Sequence, residues 1–133
     1  MKTIFIIVFS LYFCAHRTLA QEIDKIWTFG YHSGLDFSTD PPTYIESANN
    51  SVEGAAGICD MDGHLLFYSD GNTVWNRDHE AMPNGTGILG NGETIGGIPG
   101  SCSQGVAIVP SPSNTNQYYL FCIKRHGGRI YPE

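Results

Sequence analysis

Asp60 and Asp62, one residue apart and followed by Gly63, open the set of side chains whose types and spacing could do chemistry. A calcium loop of the EF-hand kind begins this way, but it needs an oxygen ligand at its fifth position and a Glu at its twelfth. Those positions hold His64 and Gly71, so the segment reads as a turn. A looser calcium site built from Asp60, Asp62 and Asp70 is the open alternative. Glycoside hydrolysis needs two carboxylates facing one another across about 5–9 Å. Glu53, Asp70, Asp78 and Glu80 are available, and their order along the chain does not pair them. His79-Glu80 starts like a helical zinc motif, yet Pro83 occupies the place of the second histidine. His32, His64, His79 and His126 have no zinc-ligand spacing. The stretch from Gly100 to Gly105 has no nucleophile elbow. Gly85, Gly87, Gly90 and Gly92 lack the lysine and following helix of a phosphate loop. The chain is therefore read as non-enzymatic, with no catalytic, cofactor-binding or metal-binding residue assigned and no cofactor.

Surface recognition has better candidates. Trp27, or Trp75 beside Asn76 and Arg77, could stack on a sugar ring; packing inside the fold is the preferred reading for Trp75. Ser69-Asp70-Gly71-Asn72-Thr73-Val74-Trp75 has the residue types of the Asp-box turn of sialidase-type propellers, at different intervals. Asn49-Asn50-Ser51 and Asn84-Gly85-Thr86 are glycosylation sequons. Cys59 and Cys122 read as small hydrophobes within strands, with a Cys59–Cys122 bridge as the alternative, and Cys102 lies in a Gly/Ser-rich loop.

Short strands and tight turns must position these residues. Ile26 to Phe29 reads as a first strand, and Gly34 to Asn50 as mostly turn and coil around Asp40-Pro41-Pro42. Gly54 to Cys59 is a strand of small residues, suited to close approach of a neighbouring backbone near an axis. Asp60 to Gly63 is a hairpin turn, with Gly63 left-handed and the aspartates capping amides. His64 to Ser69 is apolar on both faces, with Leu65 and Phe67 on one and Leu66 and Tyr68 on the other, so burial between layers is expected. Asp70-Gly71 makes the next turn and Thr73 to Trp75 a short strand. No period survives from Asn76 to Ser103; strands resume at Val106–Val109 and Tyr118–Ile123.

The segment from Glu53 to Ile58 aligns with Gln104 to Val109, and Leu65–Tyr68 with Tyr118–Phe121. A period of about 50 residues in short antiparallel strands is that of a β-propeller blade. The fold class expected is thus all-β, a partial propeller-like repeat of about one and a half blades after a signal peptide; four blades would need roughly 160–200 residues.

Residues 1–20 read as that signal, with Lys2 ahead of an apolar run from Ile4 to Ala15 and small side chains at Thr18 and Ala20 before cleavage at Gln21. The run is too short to span a bilayer as a helix. Cleavage leaves 113 residues, in which five basic residues face thirteen acidic ones, a formal net of −8. That balance argues against nucleic-acid and peripheral membrane partners. All 16 glycines remain, about one residue in seven, twice ordinary usage. Residues 21–123 would form the domain, and residues 124–133 a basic tail outside the pattern.

Trp27-Thr28-Phe29-Gly30, Gly34-Leu35-Asp36-Phe37, Glu53-Gly54, the run from Asp60 to His79 and Met82 to Gly90 together resemble the amino-terminal region of very large secreted proteins of Bacteroidetes, of the gliding-motility and surface-adhesion type. The likeness covers residues 26 to 123. It implies propeller-like repeats, further immunoglobulin-like modules and a sorting domain read by the type IX secretion system. Thr28 stands where the pattern has an aromatic, Gly96 to Cys102 is richer in glycine, and the basic tail replaces further blades, which points to a fragment. The resemblance carries no catalytic set. The function expected is a secreted surface or adhesion-type structural or binding module, periplasmic or extracellular, with glycan or protein partners and no stable membrane insertion. A sialidase-like hydrolase fragment and a self-contained small binding domain are the alternatives.

Overall fold

The computed structural model describes residues 23–88, 90 and 102–123. The signal, residues 89 and 91–101 of the glycine-rich connection and the basic tail lie outside the described residues. Nine strands form three separate antiparallel sheets among those described: β1 (Ile26–Phe29), β2 (Tyr31–Asp36) and β3 (Thr43–Asn50) in the first, β4 (Ala56–Cys59), β5 (Leu65–Ser69), β6 (Thr73–Asn76) and β7 (Ala81–Thr86) in the second, β8 (Val106–Pro110) and β9 (Tyr118–Cys122) in the third. No described helix is long and apolar enough to cross a membrane.

This overturns the propeller. The chain is all-β, but no sheet closes or curls into a propeller-like arrangement. The two aligned segments are indeed hairpins, β4–β5 and β8–β9. They belong to sheets of four and two strands and do not build successive blades. The small residues of β4 do admit a close neighbour, which is β1 rather than an axis: a Cβ on Gly57 would lie 3.5 Å from the Ile26 carbonyl oxygen. Cys59 N–H donates to Ile23 O across the same approach, at 2.9 Å.

One device shapes every turn of the second sheet. Asp60 Oδ1 accepts from Asp62 and His64 N–H, Asp70 Oδ1 from Asn72 and Thr73 N–H, and Asn76 Oδ1 from Asp78 and Glu80 N–H, all at 2.8–2.9 Å. A short side-chain oxygen thus satisfies the amides that each reversal leaves unpaired. Gly63 and Gly71, both at φ 86°, take the left-handed positions.

β5 is covered on both sides, as its apolar faces require. Tyr68 stacks on Trp75 (centroids 5.3 Å, planes 24° apart) and its hydroxyl accepts from Ala48 N–H of β3 at 2.7 Å. Phe67 meets Tyr118 of β9 edge-on at 5.2 Å. The expected pairing of Leu65 with Phe67 on one face does not hold: a register slip opposite Cys59 interrupts the alternation, and Leu65 lies with Ile26 and Ile45 instead. Ile58, Cys59, Tyr68 and Val106 are the buried apolar residues, and Thr28, Ser47, Asn49, Ser51, Ser69 and Asp70 are buried with them. Among the described residues the core is small and strongly polar.

Candidate functional site

A cleft of 380 Å³ opens where the first sheet meets the turns of the second. Ile26, Ile45 and Leu65 supply its apolar lining; Asp36, Ser38, His64, Arg77, Asp78 and His79 supply the polar one. The volume falls within the range of about 300–1,000 Å³ seen for ligand pockets. Each polar side chain sits on a turn or strand end held by backbone bonds. Asp36 Oδ1 accepts from Ser38 N–H at 2.7 Å. Arg77, Asp78 and His79 lie on the β6–β7 turn, which Asn76 organises.

His79 is the most constrained of them. Its Nδ1 lies 2.8 Å from the Tyr68 hydroxyl, and the two rings meet edge-on at 5.7 Å. Tyr68 is fully buried and its oxygen already accepts from Ala48 N–H. If that oxygen also accepted from His79, the phenolic proton would be buried without a partner. The hydroxyl therefore donates to Nδ1, and the imidazole carries its own hydrogen on Nε2. Burial pushes the Tyr68 phenol above its ordinary range, partly offset by the Ala48 N–H, so it stays protonated as this bond requires.

Asp60, Asp62 and His64 bring three potential metal-ligand atoms within 4.8 Å of one another on the exposed β4–β5 turn. His64 stands where the looser calcium set would place Asp70. Asp60 is already engaged: one oxygen holds two amides and the other lies 3.4 Å from His64 Nδ1. The His64 amide, with the Asp62 amide and the imidazole, holds the Asp60 carboxyl below its ordinary value. Asp70 is buried in the next turn, where desolvation raises its carboxyl despite the Thr73 and Asn72 amides.

The other candidates disperse. Glu53 accepts from Ser103 Oγ at 3.1 Å. Glu80 is exposed beside Asp78 on the β6–β7 turn. Trp75 is committed to Tyr68, while Trp27 is 55 % exposed, tilted on Phe37 at 5.1 Å, with Nε1–H donating to Asp24 O. Cys59 and Cys122 are free thiols with no bridge between them, and burial raises both. Asn49 and Ser51 of one sequon are buried; Asn84 of the other is exposed at φ 58°. Asp36 had no motif to single it out, and His79 was legible only as a failed zinc ligand.

No protein-family model, curated protein or solved structure matches this chain. The likeness to secreted Bacteroidetes proteins therefore gains no secretion, adhesion or sorting signal from them, and its propeller is overturned by the three open sheets.

Proposed function

We propose that the chain is an exported, non-catalytic structural or binding module of the surface or adhesion type, with a glycan or a protein as its partner. The cleft carries this reading. It is of ligand size, and its polar groups converge from both sheets around an apolar lining. Its fixed histidine faces a tyrosine hydroxyl that stays protonated, and among the described residues no serine, cysteine or threonine nucleophile is bonded to it. Export is supported by the composition of residues 1–20.

Hydrolysis of a sugar is the second reading, because Asp36 and Asp78 line the same cleft. Incubation of the full chain with a panel of chromogenic glycosides separates the readings. No release above buffer is expected. Release that Asp36→Asn or Asp78→Asn abolishes would overturn the non-catalytic reading.

A further inference from the structure

The cleft's composition narrows what it can hold. Asp36 and Asp78 stand with Arg77 and two imidazoles, His64 and His79, so both signs of charge line one space. An anion entering it meets two carboxylates, and a cation meets the guanidinium. A hydroxyl group is donor and acceptor at once. Carboxylates that only accept, beside a guanidinium that only donates, satisfy both halves of it. The apolar residues of the same cleft suit the C–H face of a sugar ring.

One contact is already organised before any ligand arrives. The Tyr68 hydroxyl fixes His79 through Nδ1, and Tyr68 is itself held by the Ala48 amide and by stacking on Trp75. The Nε2–H is thus a donor whose tautomer is set, and fixing it in advance lowers the ordering cost of binding.

We propose that this cleft binds a neutral, hydroxyl-rich ligand, a sugar residue of a glycan, with His79 as a fixed hydrogen-bond donor and Tyr68 as its positioning residue. The inference rests on the binding reading above and names the ligand class for the same cleft.

The test presents the full chain to an array of neutral oligosaccharides, with sialylated and sulfated ones on the same surface. Capture of neutral glycans is expected. His79→Gly, chosen because His79 sits at φ 64°, removes the imidazole without straining the turn and weakens capture at least tenfold. Tyr68→Phe weakens it several-fold and moves the His79 Nδ1 resonance while the circular dichroism spectrum is kept. Val52→Ala, at an exposed residue outside the cleft, leaves capture unchanged. Absence of any neutral capture, or neutral capture that survives His79→Gly, overturns the proposal. Capture of acidic glycans alone, lost in His79→Gly, overturns the neutral ligand class while sparing the binding reading. Hydrolysis of a captured neutral glycan supports the ligand class and brings down the non-catalytic reading.

Discussion

Two aspartates ten positions apart do the same job in consecutive turns and respond to pH in opposite ways. Asp60 is exposed and its carboxyl is lowered, first by the His64 amide, so its contribution is present above its ordinary value and is lost as pH falls through the depressed one. Asp70 is buried and its carboxyl is raised by desolvation. Its ionisation therefore costs stability as pH rises from its ordinary value through the raised one, and acidification across that window relieves the cost. Asp70→Asn keeps an acceptor for the Asn72 and Thr73 amides and removes the buried charge. Its urea midpoint at neutral pH should exceed that of the parent, and the gap should close on acidification through the window. A lower midpoint at neutral pH would show that the charge strengthens the turn more than its burial costs. Tyr68→Phe leaves the Ala48 amide without its acceptor, and a loss of about 1–3 kcal/mol in the same unfolding measurement is expected.

At the scale of elements, the turns and the apolar strands were legible and the polar strands were not. Ile26–Phe29 is found with the bounds its residues suggest, and the turns at Gly63 and Gly71 follow from aspartate and glycine chemistry. β3 escaped because its inward positions include Ser47 and Asn49, both buried, so no apolar alternation marks it. β2 contains Gly34, where a Cβ would lie 2.6 Å from Trp27 O and 2.9 Å from Ile45 Cγ1. β7 contains Pro83, Asn84 and Gly85, which an edge strand tolerates and a central one does not. The cleft was not legible because it joins Asp36 to a turn forty residues later, and only the pairing of sheets brings them together. Gly34→Ala should cost about 1–3 kcal/mol through overpacking. Gly57→Ala meets its neighbours at 3.5 Å or more and should cost less. Equal losses in thermal unfolding would mean that the first sheet is looser than described.

At the scale of the whole molecule, the polar core and the open sheets of the described residues leave much apolar surface outside. On the β8–β9 hairpin, Val109, Tyr119, Phe121 and Ile123 are 45–58 % exposed. The register pairs Val109 with Tyr119, and Phe121 and Ile123 continue the same face by alternation. A contiguous face of this kind favours association on concentration. Light scattering of the full chain should show mass rising with concentration, and Tyr119→Lys with Phe121→Lys should suppress the rise without changing the circular dichroism spectrum. A parent that scatters as a monomer throughout would mean that this face is covered.

The central claim, a cleft with one side chain fixed in advance for binding, is tested most directly by a long-range proton–nitrogen correlation spectrum of the nitrogen-labelled chain, recorded during titration with a captured neutral glycan. The free chain should show His79 as the Nε2–H tautomer, with Nδ1 accepting a hydrogen bond. Glycan should then move the Nε2 resonance and leave the tautomer unchanged. A hydrogen on Nδ1 in the free chain, or an Nε2 resonance indifferent to saturating glycan, would contradict it.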